Sequence, residues 1–209
     1  MKIGKVINLK DYGFIFDFFK RNRIIIVSSI LFIMGLFFGI FSLEKFEGFY
    51  DYFNNRLNEF ISLRNEGEIL KIFLSSFTFN LNITVSVFII GTSILGIVFL
   101  PFVLGGYGFY YGAIIALLYS EYDLNGILLN AIVILPTVVL FAVCIILASR
   151  EAVNFSFRIS ELTLPKTVPF NLYYSFKKYC LKFTAILAIL VFCALADGIL
   201  SFYLFDKFM

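Results

Sequence analysis

The chain has 209 residues, a formal net charge of +3, and 61% hydrophobic residues against only 15% charged ones, which is too apolar for a soluble globular domain. Because histidine is absent, the usual general base near neutral pH and the commonest metal ligand are both missing. The composition therefore predicts an integral membrane protein and argues against most acid–base and zinc chemistry.

Five apolar runs are each long enough to cross a hydrocarbon core of about 30 Å at about 1.5 Å per residue. We predict one all-α membrane domain over residues 1–209, a polytopic bundle of five transmembrane helices. The predicted spans are Ile24–Leu43, Phe73–Leu100, Phe102–Tyr119, Leu124–Ala148 and Phe183–Phe205. The second and third runs are almost continuous, so we expect a tight turn near Leu100–Gly106, where a proline and a glycine pair stand.

Cations at the ends of the apolar runs predict the orientation. Lys and Arg are concentrated in residues 1–23 and in residues 149–182, whereas residues 44–72 are rich in acids. We therefore predict a cytoplasmic N-terminal segment, an extracytoplasmic segment over 44–72, a cytoplasmic loop over 149–182 and an extracytoplasmic C-terminus. The stretches DYGFIFDFFKRNR and FNLYYSFKKYC combine aromatic residues with cations, which is typical of interfacial helices lying at the headgroup level.

The extracytoplasmic segment has apolar residues at a 4-3-4-3 spacing, which predicts an amphipathic helix. The residues of this stripe are Phe46, Tyr50, Phe53, Leu57 and Phe60. Two interpretations stay open. The helix lies on the membrane or caps the bundle, or its stripe docks an extracytoplasmic partner.

Polar side chains inside predicted spans are costly in hydrocarbon and need partners. Asn80, Asn82 and Thr84 alternate in the second span, with Asn80 and Thr84 on one helix face. Asp197 is the only acid that we place within a span. Interhelical hydrogen bonding is the simplest interpretation of all four, and a polar substrate path or another functional role is the alternative.

Small residues predict where helices approach closely. Gly35 and Gly39 form a GxxxG pair in the first span, and Gly105, Gly108 and Gly112 follow one face of the third. The three cysteines, Cys144, Cys180 and Cys193, have no CxxC spacing. We interpret them as small core residues, with a reactive or paired role as the alternative.

The fourth apolar run ends in ASREAVNFS, at Ser149, Arg150 and Glu151. Adjacent residues on a helix point in different directions, so Arg150 and Glu151 do not form a facing acid–base pair. We predict that Arg150 anchors the cytoplasmic end of the helix, where a cation also suits the helix dipole. The sequence contains no recognisable catalytic, nucleotide-binding or metal-binding motif, which predicts a non-enzymatic protein without a cofactor.

The order of these features resembles the stage II sporulation protein M family over nearly the whole chain. The resemblance is carried by Leu135 and Pro136 at the head of the fourth helix, by the ASREAVNFS stretch and by the glycine-rich third span. Many relatives outside sporulation have a histidine after this proline and a glutamate a few residues later. Thr137 and Phe141 stand in that neighbourhood here, so a role tied to those polar residues is not expected.

The resemblance implies a non-catalytic scaffold in the bacterial cell membrane, at the sporulation septum or engulfing membrane. It implies that the scaffold recruits the peptidoglycan-degrading stage II sporulation proteins D and P for septal thinning and forespore engulfment. Membrane lipid is the other expected partner, a homo-oligomer is left open, and nucleic acid is not expected. The alternative, supported by the polar second span, the interfacial helices and Asp197, is a transporter or permease-like subunit working with a separate ATPase.

Overall fold

The structure is a computed structural model that describes residues 22–43, 47–162 and 171–208. Within these ranges the chain is helical apart from short turns and has no strand. The all-α class predicted from the composition is therefore confirmed. Phe46 and most of the cations before the first span lie outside the described residues.

Six α-helices follow one another in the described ranges, with one π-helical turn between the fourth and the fifth. They are α1 (Arg23–Leu43), α2 (Glu47–Asn65), α3 (Ile69–Gly91), α4 (Gly96–Leu129), the π turn (Asn130–Ile134), α5 (Leu135–Leu162) and α6 (Leu172–Phe208). Four stretches are long and apolar enough to cross a membrane: Arg23–Leu43, Ile69–Gly91, Gly96–Glu161 and Leu172–Phe205. These stretches are what a multi-pass membrane protein requires.

The 66-residue stretch is not one straight helix, because it is broken at Asp123. Asp123 has φ 47° and ψ −127°, a backbone conformation that residues other than glycine rarely adopt. A Cβ added to Gly126 would lie 2.0 Å from the Leu118 carbonyl oxygen, although eight residues of continuous helix would separate them by about 12 Å. The chain therefore folds back on itself around Asp123.

The turn that the sequence predicts near Leu100–Gly106 lies earlier, between Gly91 and Gly96. Pro101 is inside α4, where a membrane helix tolerates the loss of one backbone hydrogen bond. The turn forms where Ser156 can cap it, since its Oγ donates to the carbonyl oxygens of Gly91 at 3.0 Å and Ser93 at 2.7 Å. Ser156 Oγ would lie only 2.2 Å from a Cβ on Gly96, so a larger residue does not fit there.

The helix around Arg150 does not end there, contrary to the sequence-based expectation. α5 continues to Leu162, and α6 already begins at Leu172. Much of the predicted cytoplasmic loop, and the predicted interfacial helix from Leu172 onward, therefore belong to the long helices. The reason is that charged residues can continue a helix beyond the apolar run when they pair or reach the headgroups. Here Glu151 accepts a hydrogen bond from Lys182 of α6.

α1 packs on α4 through backbone contact along a row of glycines. A Cβ on Gly35 would lie 2.1 Å from the Gly105 carbonyl oxygen, and a Cβ on Gly108 would lie 2.1 Å from that of Phe32. Four glycines face the opposite backbone in this way: Gly35, Gly39, Gly108 and Gly112. Gly105 differs, because it contributes its carbonyl while its own Cβ position meets nothing within 4 Å.

Two buried apolar clusters form the core. The first joins α3, α4, α5 and α6 around Val87, Leu100 and Leu190. The second joins α2 to the later part of α4, the π turn and the end of α6 around Leu57 and Phe205. The amphipathic helix α2 is therefore part of the bundle, and we call the end of the bundle that carries it the α2 end.

Candidate functional site

The apolar stripe of α2 faces the bundle. Phe53 is 5% exposed and Leu57 is 1% exposed, while Phe60 and Tyr50 are half-buried. Tyr50 also donates a hydrogen bond to Glu121 near the break in α4. This placement favours the interpretation that the segment caps the bundle, because Phe53 and Leu57 are not accessible to a partner.

Arg64 and Asp197 form a buried ion pair at the α2 end. Arg64 Nη2 lies 2.9 Å from Asp197 Oδ2, and the two residues are 5% and 2% exposed. Ser201 accepts a hydrogen bond from Arg64 Nε at 3.0 Å, and Ser76 of α3 donates to the Asp197 carboxylate. The Phe60 ring lies 3.4 Å from Arg64 Cζ, which adds a cation–π contact.

The pair joins three helices, α2, α3 and α6, and keeps both charges satisfied. Burial lowers the pKa of the Arg64 guanidinium from its ordinary value, whereas the charge and the hydrogen bond of Asp197 oppose that shift. An arginine stays protonated in proteins, so the pair is a neutralised structural link. Both groups are committed to each other and to hydroxyl groups, which leaves neither positioned as a general acid or base.

A series of hydrogen bonds extends from Ser76, beside this ion pair, along the inner face of α3. Asn80 Nδ2 donates to the Ser76 carbonyl oxygen at 2.9 Å, and Tyr107 of α4 donates to Asn80 Oδ1 at 2.7 Å. Thr84 Oγ1 donates to the Asn80 carbonyl oxygen at 2.9 Å. Asn80 and Thr84 are fully buried, so this half of the polar second span is used for packing between helices.

The other half of that polar span faces outward. Ser75, Thr78, Asn82 and Ser86 are all exposed and follow one face of α3 at 3-4-4 spacing. We call these four residues the outer polar stripe. Ser86 donates to the Asn82 carbonyl oxygen, but the side-chain amide of Asn82 has no hydrogen-bond partner among the described residues. A polar row of this kind inside a candidate membrane span is costly unless something covers it.

A cavity of about 500 Å³ opens between α2 and α3 beside the outer polar stripe. Its lining includes Thr78 and Asn82 of the stripe, Arg64 of the ion pair, and Arg56 and Glu59 of α2. Arg56 and Glu59 pair with each other at 3.0 Å and are about half exposed. The site therefore offers hydrogen-bonding groups at a cleft whose charges are already paired, which suits binding better than catalysis.

The other residues that the sequence indicates, Pro136, Thr137 and the three cysteines, lie within helices and make structural contacts. Pro136 is the second residue of α5, directly after the π turn, and Thr137 Oγ1 donates to the Ile134 carbonyl oxygen at 2.8 Å. Cys144 and Cys193 are buried with their Sγ atoms 3.8 Å apart, and Cys180 is half-buried. In the described residues no group of three or more Cys, Asp or Glu side chains could hold a metal ion.

Arg64, Ser76 and Tyr107 are parts of this site that the sequence patterns above do not indicate. A signal for Arg64 is present, because it continues the apolar spacing of α2 four residues after Phe60 and so occupies the buried face. Ser76 likewise stands four residues before Asn80 on the inner face of α3. Tyr107 has no comparable signal, since nothing in the sequence shows which residues of α4 lie beside which residues of α3.

A family model described as stage II sporulation protein M matches residues 28–201, which is most of the chain. No curated protein and no solved structure matches.

Proposed function

Since the chain belongs to the stage II sporulation protein M family and is thus a sporulation-related membrane protein, we propose that it is a non-catalytic scaffold for extracytoplasmic peptidoglycan hydrolases. On the family resemblance the recruited enzymes are stage II sporulation proteins D and P. The process is thinning of the septal wall and engulfment of the forespore. The scaffold would act at the sporulation septum or in the membrane that engulfs the forespore.

The observation that supports this proposal is the outer polar stripe of α3. Its hydroxyl and amide groups lie within a candidate span and face outward, where lipid tails offer no hydrogen bonds. A membrane anchor of a partner would cover the stripe and supply the missing hydrogen bonds. The outer polar stripe and the cavity together could accommodate an anchor helix that has its own polar side chains at a spacing of three or four residues.

The docking surface on α3 replaces the one that the sequence suggests on α2. Phe53 and Leu57 are committed to the core of this chain, whereas Thr78 and Asn82 have their side chains available. Hydrogen bonds between membrane helices are worth on average about 0.6 kcal/mol each. Losing two of them should therefore weaken partner binding about eightfold.

The test is a detergent pull-down of the two hydrolases with the double variant Thr78→Val/Asn82→Leu. The matched control is Thr184→Val, which makes the same threonine change at an exposed position of α6. We expect the double variant to retain several-fold less of both enzymes and the control to retain the wild-type amount. Equal retention by the double variant and the wild type would rule out the stripe as the docking surface.

We also propose that the chain crosses the membrane five times, with the α2 end outside the cell. In support of this proposal, the chain folds back at Asp123 within the stretch Gly96–Glu161, and four cations of the described residues lie together at the opposite end of the bundle. Single cysteines in a cysteine-free background test this. Membrane-impermeant maleimide should label exposed positions Asn55 and Asn125 from outside the cell, but not Ser93 or Lys177. External labelling at Ser93 or Lys177 would contradict the proposed topology.

The transporter or permease-like alternative draws on the polar cavity between α2 and α3. A path from this cavity toward the opposite end meets the tightly packed Val87, Leu100 and Leu190, so transport would require these helices to move apart. This alternative predicts that a substrate raises the melting temperature of the purified protein without any hydrolase present. The scaffold predicts stabilisation by the hydrolases.

A further inference from the structure

A second cavity, of about 510 Å³, lies at the end of the bundle opposite α2. It is lined by the first turn of α1, the last part of α5 and the first part of α6. We call it the basic cavity, because four cationic side chains line it against two acidic ones, which leaves a net charge of +2. The cations are Arg23, Arg158, Lys178 and Lys182, and the acids are Glu151 and Glu161.

Three of these four cations have no ion-pair partner among the described residues. Lys182 is paired with Glu151, and within the described part of the chain Arg158 Nη1 donates only to the neutral Ser175 hydroxyl at 3.4 Å. Among the described residues neither Arg158, Arg23 nor Lys178 takes part in a salt bridge. A ligand in the cavity would therefore meet cations that are free to bind an anion.

The surroundings of the cavity place it at the level of the lipid headgroups. Tyr173, Tyr174 and Phe176 at the start of α6 are 77%, 66% and 43% exposed, and exposed aromatic rings next to cations mark the membrane–water interface. Phe157 lines the cavity itself and is 45% exposed. A bound molecule would thus have its charged part among cations and its apolar part beside exposed rings.

The inner wall of the cavity is closely packed. The rings of Phe155 and Tyr179 stack with centroids 4.5 Å apart, both residues are buried, and Tyr179 donates to the Phe88 carbonyl oxygen at 2.9 Å. Glu151, Asn154 and Phe155 all come from the ASREAVNFS stretch of α5. This stretch therefore builds one wall of a preformed site.

We propose that the basic cavity binds the phosphate group of an anionic phospholipid headgroup. Basic pockets between membrane helices recognise such headgroups through the combination of cations and adjoining apolar surface. Arg158 and Lys178 would contact the phosphate directly, while the acyl chains would leave along Phe157 toward the bilayer. This proposal is independent of the scaffold function, because it concerns the other end of the bundle and no protein partner.

The test measures lipid binding by the purified full-length protein in detergent. Phosphatidylglycerol and phosphatidylcholine are compared, since both contain a phosphate but only the first has a net negative charge. Native mass spectrometry should show preferential retention of phosphatidylglycerol, and this lipid should raise the melting temperature more than phosphatidylcholine does. Lys178→Gln and Arg158→Gln should each weaken its binding about fivefold, as expected for the loss of one cation near an anionic headgroup.

Lys177→Gln is the matched control, because Lys177 is the exposed neighbour of Lys178 and does not line the cavity. It should bind phosphatidylglycerol like the wild type. Equal losses for Lys177→Gln and Lys178→Gln would overturn the proposal in favour of general surface attraction, and so would unchanged binding by both cavity variants. The melting temperature is also measured with inorganic phosphate in place of a lipid. If the phosphate stabilises the protein and phosphatidylglycerol does not, the site takes a free anion and the assignment to lipid is wrong.

Discussion

The guanidinium of Arg64 lies 2.9 Å from the carboxylate of Asp197, and both side chains are buried. The two residues come from α2 and α6, so this contact fixes the amphipathic segment to the last membrane helix. Ser76 of α3 binds the same carboxylate. The α2 end of the bundle is therefore held by a polar link in addition to the apolar contacts of Phe53 and Leu57.

Replacing one residue of this ion pair should lower the stability of the protein more than replacing both. Asp197→Leu leaves Arg64 as a buried charge without its partner, and Arg64→Met does the same to Asp197, so each should lower the free energy of unfolding by about 3–5 kcal/mol. The double variant should lose less than the sum of the two, because it leaves no unpaired charge. A denaturant titration of the four proteins in the same detergent measures this coupling.

Arg56→Met is the control for this experiment. Arg56 is in the same helix and pairs with Glu59, but both side chains are at least half exposed, and exposed pairs contribute about 0–1 kcal/mol. We expect it to unfold like the wild type within that range. Strictly additive losses in the Arg64 and Asp197 variants would mean that the two residues do not interact.

Hydropathy is sufficient to locate the four candidate membrane stretches in this sequence, because any apolar run of about 20 residues in a bilayer must satisfy its backbone hydrogen bonds internally. It is less informative about where helices end. Pro101 looks like a break and lies inside α4, and Arg150 looks like a helix end and lies inside α5. The ends of these helices depend on tertiary contacts, such as that of Ser156 with the turn after Gly91. Local sequence patterns do not encode such contacts.

The candidate site is only partly predictable for the same reason. Spacing places Asn80 and Thr84 on one face of α3, where both are buried, and the cost of a buried acid predicts a partner for Asp197, which lies beside Arg64. Which residue becomes that partner depends on how α2 lies against α6, which the sequence of either helix alone does not determine. The outer polar stripe emerges only after the fold shows which face of α3 is covered.

The burial of Leu57 predicts that α2 is required for stability. Leu57→Ala should lower the free energy of unfolding by about 2–5 kcal/mol, because it opens a cavity in the core beneath α2. Leu70→Ala makes the same change at a side chain that is 68% exposed, against 1% for Leu57, and should cost far less. Thermal unfolding in detergent compares the two. Similar losses would show that α2 does not pack on the bundle as described.

The glycine contact between α1 and α4 predicts opposite effects for two neighbouring positions on α4. A Cβ on Gly108 would lie 2.1 Å from the Phe32 carbonyl oxygen, whereas a Cβ on Gly105 would meet nothing within 4 Å. Gly108→Ala should therefore force the two backbones apart and cost about 1–3 kcal/mol, the usual range for overpacking. Gly105→Ala should leave the melting temperature unchanged or raise it, because alanine stabilises a helix relative to glycine by about 1 kcal/mol.

The test compares the melting temperatures of both variants in one detergent. If Gly108→Ala melts like Gly105→Ala, the helices do not approach along this row, and the close packing of α1 on α4 is wrong.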